Sequence, residues 1–596
     1  MLGSSWRRLP HSLYSNLPPL KRTKQIREGL VGLNFSKVEA ELNKQPLTPD
    51  LSGELLTIVK QTGCLLVQHP DVERIQKRDL FVRSLRQLFD QIGPADQSAR
   101  LEAHVNQARL CEEGFREIRT TLAQTPVGKA SPSSSVWATL RAISADMAEV
   151  SRAVSSTRPT LIDSQIAFMA AEGLRIEAFG SPNIDPDAAQ EGYSNNVGGY
   201  LRMLGHVKGW FQDDLLKIPA EVPVPDDVLM DRSAIYLAEA WNQLNDHWEK
   251  LRYFETSSVR AEHCSYGEGE NDIREINTLI FEHDWRYFRG IEVARARLRQ
   301  QAFEVMMYVV YSSKIAKHIQ DPTESPVDLP PRGFISKVEA MGMLVLDLCY
   351  GLPLAADEQK YLGMTLAEWL RGYALLQFCC EKHLALIDIA NGLSYLDVEA
   401  FLALAVHAGM AHALCNQFIK QVTFQRNSRD IFDAPLILTQ DNRYIILSGV
   451  YKHCGLHEAL TSRINSLLLR VNRKGTLFEG QVHGIFEECG AVPKRLQYRN
   501  SEGNFECDAA VLWGEYLFLA ECKAYSLPTP SASDLFFFAV KQKDAAAQIS
   551  RIANHLTQDP SILEKSFGVF PNPPKTMVRQ KKSWVDSGSG SLPSEW

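Results

Sequence analysis

The chain has 596 residues, of which 45% are hydrophobic and 23% charged, with a formal net charge of −7. This composition excludes a disordered or fibrous chain, and the length predicts more than one domain. The negative balance excludes a global basic field, so any nucleic-acid groove has to be a local basic patch.

Residues 1–29 read as a flexible basic tail. Arg7, Arg8, Lys21, Arg22, Lys24 and Arg27 occur with no acid among the first 27 residues. A transit peptide is the alternative, but prolines spoil the amphipathic helix that such a peptide needs. Eleven cysteines are scattered along the chain without a C-x-x-C pair. With no secretory apolar segment, this predicts reduced thiols in a cytoplasmic protein rather than a disulfide frame or a zinc site. No apolar run reaches the length of a membrane span, so no membrane partner is expected. The richest run, "FLALAVHAGMAHALC", is short and carries two histidines.

Residues 30–430 read as an α-helical region of one or two subdomains. In "RSAIYLAEAWNQLNDHWEKLRYF", Leu237, Trp241, Leu244, Trp248 and Leu251 recur at spacings of four and three, which places them on one helical stripe. Proline-rich breaks at 126–135, 180–187, 218–227 and 321–333 read as linkers or long loops. No repeat of fixed period is present.

The pattern changes near residue 430. "APLILTQDNRYIILSGV" reads as strand, Asp-Asn turn, strand. With the helix in "HEALTSRINSLLLRVN" it makes a 431–471 segment of hairpin and connecting helix. A compact domain is then expected over 472–557. "GTLFEGQVHGIFEECG" has a helical period, with Phe478, Val482, Ile485, Phe486 and Cys489 on one side. Thr476 can cap its start and Gly490 can end it. "PKRLQYR" reads as a strand. Two further strands follow at about 505–512 and 516–523, then a long helix at about 534–556. Residues 558–596 read as an irregular tail.

The two strands carry charges among apolar residues. Glu521 and Lys523 are two apart and share a strand face. A tight hairpin at Trp513-Gly514 brings Asp508 to the same end as Glu521. Two carboxylates about 4 Å apart repel by on the order of 4 kcal/mol at an effective dielectric near 20. A divalent cation removes that conflict, and Mg²⁺ or Mn²⁺ suits hard oxygen ligands. Bound water then becomes more acidic, and a lysine can orient or deprotonate it or neutralise charge on a phosphate. Acid, acid, lysine and metal suit hydrolysis of a phosphodiester.

Asp508, twelve intervening residues and then Glu521-Cys522-Lys523 resemble the PD-(D/E)xK nuclease superfamily, with its restriction-endonuclease-like fold. The resemblance covers about 472–557. It implies an αβββα(β) core, with Asp508 on the second core strand and Glu521 and Lys523 on the third. It further implies a metal-dependent nuclease acting on nucleic acid, with DNA favoured over RNA. Asp508 and Glu521 would hold Mg²⁺ or Mn²⁺, with Lys523 assisting. Glu479 matches the glutamate that many members supply from the first core helix, as a third catalytic and metal-binding residue. Gln548 or Lys541 matches a helper on the second core helix. Cys507 stands where the family's leading proline would be. A last core strand has to come from "SFGVF" or "KTMV". The expected fold class is therefore multidomain α plus α/β, in which the large helical region recognises substrate or protein partners.

Other readings stay open. Asp508 and Lys523 can instead form a structural cross-strand ion pair, with Glu521 solvated. Thr476-x-x-Glu479 is a capping box, so Glu479 can serve its own helix start. Cys507 and Cys522 read as small buried hydrophobes. The arginines and aromatics of 282–301 read as a solvated face with core aromatics, or as a phosphate-binding helix. His407, His412 and Cys415 are spread around a helix and do not make a metal site. "SYGEGEND" lacks the strand-to-helix setting of a phosphate cradle. A non-catalytic helical scaffold with a degenerate nuclease domain, and an RNA-directed nuclease, are the rival functions.

Overall fold

A computed structural model describes residues 23–44, 49–68, 72–92, 94–157, 175–266, 274–284, 286–311, 337–352, 354, 357–390, 392–428, 430–467, 473–500, 503–514, 516–523, 531–568 and 575–576. The chain divides into two compact units. The first comprises Met1–His283, Ala302–Val345 and Leu354–Leu469, and the second Asp284–Gln301, Leu346–Pro353 and Arg470–Trp596.

The first unit is mostly helical, as its periodicity predicts. Helix Ala95–Gln124 buries Leu101, Val105, Ala108, Cys111 and Phe115, one stripe at spacings of three and four. Helix Ser233–Tyr253 buries Trp241, Leu244, Trp248 and Leu251 as expected. The two stripes meet where the rings of Phe115 and Trp241 lie 4.4 Å apart. Among the described residues, helix starts at Thr23, inside the stretch read as a tail. Ile26 and Leu30 are fully buried there, and Arg27 donates to Gln61, so the last residues of the basic segment belong to the core.

This unit is not helical throughout. A six-stranded sheet runs in the order Phe211–Gln212, Leu215–Ile218, Ile437–Thr439, Tyr444–Ile446, Leu393–Leu396 and Leu386–Ala390. The 215–218 and 437–439 strands are parallel, and the other neighbours are antiparallel. The expected hairpin in 431–471 is present, with Asn442 left-handed in its turn at φ +62°. Its Ile437 and Ile445 lie in the same core as Trp137 and Leu216, so the hairpin is part of this sheet. A long hairpin pairs Ser258–Tyr266 with Arg274–Glu282, where helix was expected. Strands of two to nine residues leave a weaker periodic signal than the helices around them.

The breaks are shorter than linkers. Residues 126–129 form one helical turn, and Pro132 starts the helix to Thr157. The 180–187 break contains a strand, Ser181–Ile184. The break at 321–333 lies outside the described residues. No helix among the described residues is long and apolar enough to cross a membrane.

The second unit contains a small mixed sheet. Helix α1 (Arg473–Glu488) is followed by β1 (Pro493–Asn500), β2 (Gly503–Trp513) and β3 (Tyr516–Ala520). Helices α2 (Ala532–Gln558) and α3 (Ser561–Phe567) then lead to β4 (Lys575–Thr576). The sheet order is β1-β2-β3-β4, with β4 parallel to β3 and the other pairs antiparallel. Its core joins Leu496, Cys507, Ala510 and Leu517 of the strands to Ile552, Leu556 and Leu563 of α2 and α3. Each large apolar side chain buried there contributes about 1.5–3 kcal/mol. The last strand comes from the start of "KTMV", whereas Ser566 and Phe567 of "SFGVF" end α3. Residues 558–596, read as an irregular tail, thus supply a helix and a strand.

Candidate active site

The β2–β3 ribbon turns at Gly514. Trp513 pairs with Tyr516, and the ladder runs to Ala509 opposite Ala520. Gly514 sits at φ +59°, a left-handed turn conformation that a Cβ would disfavour. One more step in the same register puts Asp508 opposite Glu521. The strand stops at Ala520, however, so Glu521 and Lys523 lie just beyond it rather than within it.

The reason is visible at Asp508. On its other side, Lys494 pairs with Ala510 and Leu496 with Cys507. Two residues of β2, Asp508 and Ala509, therefore stand opposite the single Arg495 of β1, which is a β-bulge. Bulges re-aim side chains and are common beside active sites. The re-aimed Asp508 is 6% exposed, and its Oδ2 accepts from the Cys522 backbone N–H at 2.7 Å. A side-chain oxygen thus takes the donor that a strand partner would otherwise take, and the ladder ends.

Glu521 follows. Its side chain is only 2% exposed, and Oε1 accepts from the Lys523 ammonium. Its Oε2 is buried with no hydrogen-bond partner. The Glu521 carboxyl is held above the ordinary glutamate range. Burial is the largest cause; Lys523 opposes it, and the negative charges of Asp508 and Glu506 add to it. The alternative of an Asp508–Lys523 ion pair beside a solvated Glu521 is not what forms. Lys523 pairs with Glu521, and Glu521 is buried.

Helix α1 packs on β1 and β2. His483 Nε2 donates to the Asp508 carbonyl oxygen at 2.9 Å, which ties the helix to the bulge. Glu479 lies one turn earlier, with its Oε2 4.0 Å from the Arg495 guanidinium. Arg495 also pairs with Glu506, and that pairing draws the Glu506 carboxyl below its usual range. Helix α1 begins at Arg473, so Thr476 lies inside it rather than at its N-cap position. Gly490 does end the helix, at φ +79°, with Gly490 N–H donating to Glu487 and Ala491 N–H to Phe486. Of the predicted apolar stripe, Val482 and Phe486 are half-buried on the side that also carries Glu479 and His483, while Phe478, Ile485 and Cys489 are exposed. Neither His483 nor Arg495 stood out in the sequence. The signal for His483 was its four-residue spacing from Glu479.

Among the described residues, no group of three or more His, Cys, Asp or Glu side chains comes together as a set of metal ligands. Asp508 and Glu521 are brought together, and Glu479 is engaged with Arg495. Gln548 donates to the Glu506 carbonyl at 3.3 Å and so fastens α2 to β2. Lys541 lies two turns earlier on α2, partly exposed. Cys507 and Cys522 are buried, which pushes their thiols up to about 12 and about 11. They fit the reading as small hydrophobes.

The other candidates do not assemble. His407 ends one helix, His412 begins the next and bonds Asn416, and Cys415 is buried. In helix Arg286–Tyr311, Phe288 is buried while Arg289 and Arg297 are exposed, the pattern of a solvated face over a core aromatic. The glycines of "SYGEGEND" lie outside the described residues. No family model, curated protein or solved structure matches this chain.

Proposed function

We propose that the second unit is a metal-dependent nuclease that hydrolyses phosphodiester bonds in DNA. One observation carries this reading: a buried carboxylate oxygen, Glu521 Oε2, has no partner and stands beside a second acid, Asp508. A buried carboxylate oxygen without a partner is costly. It persists where something else satisfies it, and a divalent cation is the simplest candidate. Mg²⁺ commonly takes one or two carboxylates with water and substrate oxygens, so this pair fits it. Asp508 and Glu521 would hold Mg²⁺ or Mn²⁺, and Glu479 would join only by leaving Arg495. The ion, when bound, supplies a more acidic water and a counter-charge for the phosphate.

The chain's own groups have distinct tasks. Asp508 is fixed by the Cys522 N–H, and His483 fixes the bulge that aims it. Lys523 is tied to Glu521 and partly exposed, so its ammonium can turn from the carboxylate to a substrate phosphate or to the attacking water. The order α1-β1-β2-β3-α2 with a parallel β4 is compatible with the αβββα(β) core that the sequence resemblance implies. The first unit would recognise substrate or protein partners. The Lys523–Glu521 pair also suits a second reading, a scaffold whose nuclease-like domain no longer cuts.

The test uses purified full-length protein with plasmid DNA and, in parallel, RNA, in Mg²⁺ or Mn²⁺ and then in EDTA. Cutting of DNA that needs the metal and disappears in Glu521→Gln and Lys523→Ala supports the nuclease. No cutting by wild type under any of these conditions supports the scaffold, and cutting of RNA alone moves the substrate class. Equal cutting in wild type and both variants would locate the activity elsewhere.

A further inference from the structure

Arg495 is the one residue of β1 that faces the two bulge residues of β2, Asp508 and Ala509. Neighbouring strands lie about 4.8 Å apart, so its guanidinium starts one strand away from the Asp508 backbone. Its side chain is 50% exposed. A guanidinium has five N–H groups in a flat fork. Among the described residues, this one makes a single hydrogen bond, from Nη2 to Glu506 Oε1, while Nη1 stands 4.0 Å from Glu479 Oε2. Gln497 Nε2 also donates to Glu506 Oε1, at 3.3 Å, and so holds the tether. Arg232 in the first unit is the opposite case: its Nε and Nη2 are both spent on the two oxygens of Asp146. The Arg495 fork is anchored at one corner and open along the rest.

The surrounding charges tie this fork to the acid pair. The Glu506 hydrogen bond chiefly, with the charges of Glu506, Glu479 and Asp508, holds the guanidinium above its ordinary range, against a partial desolvation. The Glu506 carboxyl is lowered by Arg495 and Gln497 and also by the Lys523 charge, so both cations bear on the same acids. We propose that Arg495 binds a non-bridging oxygen of the substrate phosphate, beside the cation held by Asp508 and Glu521, with Glu506 and Glu479 as its positioning residues. The proposal rests on the nuclease reading of that site and names a substrate contact within it. A planar fork matches two phosphate oxygens at once, which an ammonium such as Lys523 does not. A phosphate taken by the ion and by Arg495 together is fixed in orientation as well as in place.

The test reads the phosphate directly and needs no cutting. Dimethyl phosphate, a diester with no base or sugar, is titrated into Mn²⁺-loaded full-length protein, and broadening of its ³¹P line is followed. Wild type should broaden the line saturably. Arg495→Ala should weaken that affinity by about tenfold, and Arg495→Lys should recover part of it, since charge returns without the fork. Exposed Arg499 lies four residues along β1, about 13 Å away, so Arg499→Ala removes an equal charge and should change nothing. Mn²⁺ affinity, measured in the same samples, should not fall in Arg495→Ala. Wild-type phosphate affinity in Arg495→Ala, an equal loss in Arg499→Ala, or weakened Mn²⁺ uptake in Arg495→Ala overturns the proposal. Bound Mn²⁺ with no broadening, or broadening independent of Arg495, removes this contact and leaves the cation site standing. A wild type that holds no Mn²⁺ removes the site and the contact together.

Discussion

Two glutamates, one in each unit, show what separates a structural charge from a site. In the first unit, Glu112 accepts from the Val67 backbone N–H through Oε1 and from Arg78 through both oxygens. Arg78 in turn donates to the Leu65 carbonyl and to Asp79. Both carboxylate oxygens are used and the charge is balanced. In the second unit, Glu521 uses one oxygen on Lys523 and leaves the other without a partner, next to a second acid. Both side chains are largely shielded from solvent, Glu521 more than Glu112. The unfilled lone pair and the like-charged neighbour belong only to Glu521, and these are what a cation would resolve.

The contrast is broken most sharply by removing each charge in turn. Glu521→Gln should lower metal-dependent DNA cutting by about a thousandfold, given the several kcal/mol that a bound ion contributes. Glu112→Ala should leave the chemistry alone and destabilise the first unit by about 3 kcal/mol, the low end for stripping a buried partner, since Glu112 is partly exposed. A denaturant titration of each variant checks this. A cutting defect in Glu112→Ala without loss of stability would end the distinction.

Acidity sharpens the comparison further. The Glu521 carboxyl is raised in the folded state, so the fold holds more protons than the unfolded chain between the ordinary glutamate value and the raised one. The stability linked to this group is fully present below that window and is lost as pH rises through it. Glu521→Gln should flatten this slope and, at neutral pH, raise the melting temperature of the second unit by about 2 °C. Thermal scans of wild type and variant across pH 4 to 8 test it, and parallel curves for the two proteins would contradict it.

Smaller effects lie at the edge of the site. Glu479 faces Arg495, so Glu479→Gln should reduce cutting by less than about tenfold. A loss as large as that of Glu521→Gln would place it among the metal ligands. Exposed Cys489 should take up iodoacetamide at pH 8, while Cys507 and Cys522, with buried thiols at about 12 and about 11, should resist it until the unit unfolds. Mass spectrometry of labelled peptides reads the difference.

Much of this site was legible in the sequence. The Trp513-Gly514 turn between two apolar runs specified the hairpin, and its register brought Asp508 level with Glu521. The ends of elements were less legible. A bulge that places Asp508 and Ala509 against Arg495 depends on pairing between strands, and no single strand announces it. The same holds for the start of α1 at Arg473, where Thr476 offered a plausible cap that the longer helix overrode. The six-stranded sheet was hidden because its strands are short and join residues near 215 to others near 395 and 438, a long-range pairing without a local signature. The two-residue β4 is defined only by its parallel partner.

The most direct measurement is Mn²⁺ binding followed by electron paramagnetic resonance, with wild type, Asp508→Asn and Glu521→Gln at equal concentration and no nucleic acid. Wild type should take up one ion that Mg²⁺ displaces, and each variant should weaken that site by more than about tenfold. Unchanged uptake in both variants, or no bound Mn²⁺ in folded wild type, would contradict a cation site made by Asp508 and Glu521.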